Sequence, residues 1–109
     1  KHRMDGVFFL SGDRHYSELH YEARDGHPPL LEFTSSPLQQ NQKVAPLKNR
    51  PNAFRLWGLN GNSYGLVTVD IPEPGQGTVR LEVRTEANTV PVVGNTRCSS
   101  AWQLSDLRY

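Results

Sequence analysis

Two segments in the second half of the chain alternate apolar and polar residues with a period of two, and a strong turn joins them. From Tyr64 to Ile71, Leu66 and Thr68 fall on one face and Val67, Val69 and Ile71 on the other. From Thr78 to Thr85, Val79, Leu81 and Val83 alternate with Arg80, Glu82 and Arg84. Between them lies Pro72-Glu73-Pro74-Gly75-Gln76-Gly77, a cluster of residues that punctuate regular structure. Successive strand side chains point to opposite faces, so this pattern predicts an antiparallel hairpin with one face solvated. No segment carries the periodicity of a long amphipathic helix.

Val7-Phe8-Phe9-Leu10 is apolar throughout, as in a strand covered on both faces, and Val7 to Ser11 reads as one. Burying such a side chain is worth roughly 1.5–3 kcal/mol, so the four together rival the roughly 5–15 kcal/mol stability of a whole domain. With almost no helix to cover this run, a partner or a further portion of the same polypeptide is expected to supply the second layer. Further strands are expected at Tyr16 to Ala23 and Leu30 to Thr34, with a turn at Asp25-Gly26, and Phe54 to Leu59 fits either a short strand or an irregular segment. Ser35-Ser36-Pro37 predicts the start of a helical turn. Gln39 to Asn52 reads as a long polar loop, Glu86 to Ser100 carries little pattern, and Ala101 to Leu107 fits a closing strand or one short helix.

At 109 residues, residues 1–109 form a single domain. The formal net charge is +1, with both signs scattered along the chain. That argues against a nucleic-acid-binding surface or charge-driven membrane adhesion. No apolar run reaches the length of a membrane-spanning segment. Cys98 is the sole cysteine, which excludes an internal disulfide and a cysteine-based zinc cluster.

The residues that bear chemistry follow the apolar run directly: Gly12-Asp13-Arg14-His15-Tyr16-Ser17-Glu18. Asp13 and His15 are a carboxylate and an imidazole two residues apart at a strand mouth, about 6.6 Å apart along an extended backbone. They can reach one metal ion if the chain curls, or two neighbouring ions if it stays extended. Paired ions suit phosphoester hydrolysis, because they make hydroxide available at mild pH. On this reading Asp13 and His15 are the metal-binding and catalytic residues. Gly12 lets the backbone approach ion or substrate. Arg14 points the other way in a strict strand, but in a curled loop it can bind phosphate oxygens of the substrate. Tyr16 and Glu18 are candidates for orienting His15 or a bound water.

Simpler roles exist for the same residues. Gly-Asp is a common turn pair, so Asp13 can cap a turn and His15 can be a packing residue. His20 and His27 read as solvent-facing, and Asn60 and Asn62 as turn formers around Gly61. Trp57 and Trp102 could stack on a sugar or base, but core or edge packing is the default for such residues. Cys98 reads as a small packing residue.

The run Gly6-Val7-Phe8-Phe9-Leu10-Ser11-Gly12-Asp13-Arg14-His15-Tyr16-Ser17-Glu18 closely resembles the last metal-binding motif of PhoD-like phosphatases. These form the alkaline phosphatase D branch of the calcineurin-like metallophosphoesterases. Phe33-Thr34-Ser35-Ser36-Pro37-Leu38 resembles that family's segment after the motif. Asn62-Ser63-Tyr64-Gly65-Leu66-Val67-Thr68-Val69-Asp70 resembles its late strand.

The resemblance implies an α/β four-layer (αββα) fold, of which this chain would be the β-rich part, with mostly antiparallel or mixed sheet and little helix. It implies a dinuclear centre hydrolysing phosphomonoesters or phosphodiesters, with Asp13 and His15 in ligand positions. A carboxylate there favours iron or calcium first, with manganese or zinc next. The family's earlier motifs are absent: an Asp-x-His start, a Gly-Asp-x-x-Asp loop and an Asn-His pair. The chain is thus expected to be the C-terminal segment of a longer parent, inactive alone, with the remainder of that polypeptide as its partner. Export of relatives implies a periplasmic or extracellular location. The alternative is a non-catalytic β-rich module that binds carbohydrate or peptide through Trp57, Trp102 and exposed strand edges.

Overall fold

The computed structural model describes residues 6–39 and 47–107. The alternating segments form a hairpin of β5 (Ser63–Glu73) and β6 (Gln76–Thr85), in register from Ser63 opposite Thr85 to Asp70 opposite Thr78. A further strand, β9 (Ser99–Gln103), pairs antiparallel with the other edge of β6 and completes a three-stranded sheet.

The N-terminal half makes a four-stranded sheet from β1 (Phe9–Ser11), β2 (Ser17–Arg24), β3 (His27–Thr34) and β4 (Arg55–Leu59). The spatial order is β1-β3-β2-β4. β1 runs parallel to β3, and the remaining pairs are antiparallel. β3 begins three residues earlier than the apolar pattern predicts and includes Pro28 and Pro29. Proline cannot donate to a strand ladder. It is tolerated here because β1 pairs only with Glu32 to Thr34 and does not reach that end of β3.

The inward faces of the two sheets share one core. Leu19, Leu31, Phe33 and Trp57 from the first sheet join Val79, Leu81 and Val83 from the second, with Cys98 and Leu107. The Trp57 indole nitrogen donates to Ser100 Oγ at 2.9 Å across the two sheets, and its ring meets Phe33 edge-on. Trp102 stacks on Tyr21. Both tryptophans therefore pack inside or at the edge of the core. β5 lies at the edge of its sheet, which leaves Val69 and Ile71 exposed although Val67 packs inward.

The four-layer αββα expectation is corrected. The described residues form a small β-rich unit without α-helix, carrying only short 3-10 turns at Leu47–Asn49 and Leu104–Leu107. Each sheet has one apolar face, and these two faces bury each other, so no outer helical layer is called for. The exception is the apolar run at the start. Phe8 packs against the core, while Phe9 is 54% and Leu10 61% exposed on a short outermost strand.

Ser35-Ser36-Pro37 forms no helical turn. Instead Ser35 N–H donates to the Ser11 carbonyl and Ser63 N–H to the Pro37 carbonyl, tying this segment to both sheets. The patternless region 86–100 contains a small hairpin of β7 (Val92–Val93) and β8 (Thr96–Arg97) and the start of β9. Ala101 to Leu107 resolves into the end of β9 followed by a 3-10 turn. Much of the expected loop 39–52 lies outside the described residues.

Gly65 of β5 lies close against Phe33 of the first sheet and against Ser35 just after it. A methyl group there would sit 2.8 Å from both Phe33 Cε1 and Ser35 Cβ, closer than carbon atoms pack. Gly65→Ala is expected to destabilise the chain by about 1–3 kcal/mol through overpacking, measured by urea denaturation. Burial pushes the Cys98 thiol above its ordinary range. The folded state therefore favours the neutral thiol. That contribution is full below the usual thiol pKa of about 8.5 and falls away as pH rises above it. Native protein should resist thiol-specific alkylation, and unfolded protein should react at once.

Candidate functional site

The segment between β1 and β2 curls. Asp13 has φ of 62° and His15 of 60°, with Arg14 between them. The left-handed region costs an L-residue roughly 1–2 kcal/mol, although Asp is among the residues that visit it most. Gly12 takes no left-handed angle, and a methyl group on it would make only ordinary contact, 3.5 Å from the Ser35 carbonyl oxygen. The unusual backbone thus falls on the two candidate ligands and not on the glycine beside them.

A group of hydroxyls braces this loop from behind. His15 N–H donates to Ser36 Oγ at 3.2 Å. Ser36 N–H donates to the buried Ser17 Oγ at 3.1 Å, which also lies 3.1 Å from Ser63 Oγ. Ser11 Oγ and Thr34 Oγ1 meet at 2.7 Å. The three segments singled out in the sequence, around residues 12–18, 33–38 and 62–70, therefore meet at one end of the molecule.

Alternation splits the predicted set. Asp13 is exposed and His15 half-buried, and neither lines the neighbouring cleft. Arg14, Tyr16, Glu18 and His20 do line it, along the outward face of β2 and the loop before it. The facing wall is Arg50, Asn52 and Arg55, in and just before β4, and the cleft holds about 340 Å³. None of these three was indicated by the sequence. Arg50 and Arg55 stand in or beside an unpatterned polar stretch, and the only available signal was a local density of arginine.

The placement of Arg55 follows from a bulge. Pairing runs Leu19 opposite Trp57 and then His20 opposite Arg55, so Leu56 is the extra residue. A bulge re-aims the side chains beyond it. Arg55 consequently lies with Glu18 and His20, although simple alternation would put it on the core side with Trp57. Its Nε donates to Glu18 Oε2 at 2.6 Å and its second guanidinium nitrogen to the Arg50 carbonyl at 2.6 Å. The Glu18 carboxylate is thus committed to Arg55, and accepts also from Asn52 Nδ2 at 3.4 Å.

Asn52 fixes the neighbouring imidazole. Its Oδ1 accepts from Phe54 N–H at 3.0 Å, so its nitrogen is the group 3.1 Å from His20 Nδ1. An amide nitrogen can only donate, so His20 Nδ1 accepts and the ring proton sits on Nε2. That buried Nε2 has no hydrogen-bond partner among the described residues, and lies 3.8 Å from a Glu22 carboxylate oxygen. Tyr16 is fully buried, with the Arg14 and Arg50 guanidinium carbons 5.3 and 4.9 Å from its ring centroid.

Among the described residues no group of three or more His, Cys, Asp or Glu side chains gathers in a way that could hold a metal. Catalytic zinc sites use three protein ligands and a water. Asp13 and His15 are therefore part of a metal site at most, and the described residues do not complete one. No helix among the described residues is long and apolar enough to cross a membrane.

No family model, curated protein or solved structure matches this chain.

Asp13→Gly tests whether the loop stores strain. Glycine adopts the left-handed region freely, and the exposed Asp13 side chain contributes little packing. The variant is expected to gain about 1 kcal/mol in urea denaturation, net of glycine's larger unfolded entropy. A clear loss of stability would show that the Asp13 side chain holds the loop.

Proposed function

We propose that this chain contributes a ligand-bearing loop to a metal-dependent phosphoester hydrolase of the alkaline phosphatase or phosphodiesterase type, within a longer polypeptide. Asp13 and His15 are the ligands it supplies, and Arg14 meets the substrate's phosphoryl oxygens. The observation that carries this reading is the left-handed backbone at both Asp13 and His15, braced by buried hydroxyls. Strained residues of this kind persist where surrounding structure over-determines them, and they cluster at functional sites.

Two further points support it. The segments resembling PhoD-like phosphatases converge on this loop, as the contacts among Ser17, Ser36 and Ser63 indicate. Phe9 and Leu10 leave apolar surface open beside it, as expected where the remainder of a parent polypeptide packs. A dinuclear centre of iron, calcium, manganese or zinc would, when bound, supply the hydroxide. The residues of this chain would hold metal and orient phosphate.

Thermal unfolding with millimolar calcium, manganese or iron tests the ligand assignment. A metal binding at about ten times its Kd contributes roughly 1.4 kcal/mol, which raises Tm by several degrees in a chain of this size, about 4–8 °C per kcal/mol. The shift should vanish in Asp13→Ala and in His15→Ala. The isolated chain should release no phosphate from 4-nitrophenyl phosphate with any of these metals. Absence of a shift, or its survival in both variants, rules out the ligand role. Rapid metal-dependent turnover by the isolated chain would overturn the need for a parent.

A further inference from the structure

The cleft beside the loop carries more positive charge than it neutralises. Arg55 is paired with Glu18 at 2.6 Å. Arg14 and Arg50 have no carboxylate partner among the described residues. The segment 40–46 that precedes this wall, Gln40-Asn41-Gln42-Lys43-Val44-Ala45-Pro46, contains no acidic residue either. Both guanidiniums nevertheless converge on one ring, that of Tyr16.

Among the described residues, the contacts that hold the arrangement in place leave most donors unused. Arg50 spends one N–H on the Arg14 carbonyl at 2.9 Å, which draws the two residues together through the backbone of one and the side chain of the other. The Arg14 guanidinium makes no hydrogen bond among the described residues beyond its place over Tyr16. A guanidinium has five N–H donors in a planar fork, matched to two oxygens of one anion. Tyr16 fixes where the forks lie, because its buried ring gives each a cation–π seat. Asn52 and the Arg55–Glu18 pair close the floor of the cleft without adding net charge.

We infer that this cleft binds a phosphoryl group between the guanidiniums of Arg14 and Arg50, without a metal. The inference extends the role proposed for Arg14 and rests on that reading for the choice of phosphate among anions. It adds Arg50 as a binding residue and Tyr16 as the residue that positions both arginines. A doubly charged tetrahedral oxyanion fits two separate forks better than a singly charged planar carboxylate does. The cleft is large enough for a phosphoryl group and part of the alcohol it esterifies.

The test is a titration of the chain with inorganic phosphate at low ionic strength with excess chelator, followed by amide and arginine side-chain NMR shifts. Saturable shifts are expected at Arg14, Tyr16 and Arg50. Arg14→Gln and Arg50→Gln should each weaken binding about tenfold, the worth of one charge-assisted contact. Arg97→Gln, at an exposed arginine that does not line the cleft, should leave it unchanged. Arg50→Lys keeps the charge and the stem, and serves if Arg50→Gln disturbs the covered Tyr16 ring. It should fold normally and bind more weakly than the parent sequence.

An equal response to acetate, an equal loss in Arg97→Gln, or no saturation would overturn the inference. Metal uptake is measured separately in phosphate-free buffer. Phosphate binding without metal uptake leaves the cleft standing and removes the metal ligands. Metal uptake without phosphate binding at the arginine pair does the reverse.

Discussion

The contact between the two inward sheet faces governs everything else in this molecule. Leu19, Phe33 and Trp57 on one side meet Val79, Leu81 and Val83 on the other, and all are buried. Because strand side chains alternate, committing Leu19 and Tyr21 to the core sends Glu18 and His20 to the opposite face. The polar face of β2 is therefore a by-product of packing its apolar face. Loss of the shared core would dissolve the cleft as well as the fold.

Two local departures from regular geometry turn that polar face into a site. The bulge opposite His20 brings Arg55 across to Glu18, which neutralises a carboxylate that would otherwise be buried alone. The left-handed residues at Asp13 and His15 bend the chain at the end of β1, so that Arg14 turns back toward Tyr16. Both departures cost stability locally. Both are held by neighbours on other elements: Asn52 and Arg50 in one case, Ser36 and Ser17 in the other.

The hairpin of β5 and β6 could be read directly from residues because ten or more positions repeat one pattern around a strong turn. The loop after Leu10 could be read because an apolar run ends on Gly-Asp, with ionisable residues following. β7 and β8 could not be read, since two-residue strands carry no periodicity. The segment Ser35-Ser36-Pro37 has a composition that suits a helix start, but its backbone groups pair instead with Ser11 and Ser63. The layer count is set at long range as well: the second apolar face that covers the first sheet comes from β5, β6 and β9, and no helix is needed.

Local order along the chain was enough to set strand character, the main turn and the cluster of chemical groups at residues 12–18. These depend on residues within a few positions of one another, where covalent geometry limits the choices. Which arginines face Tyr16, which carboxylate is neutralised and which glycine must stay bare were decided only by folding. Arg14 and Arg50 are 36 positions apart, and Gly65 is pressed by Phe33 from another sheet and by Ser35 just beyond it. Such contacts depend on register and on a single extra residue in β4, and no local pattern encodes either.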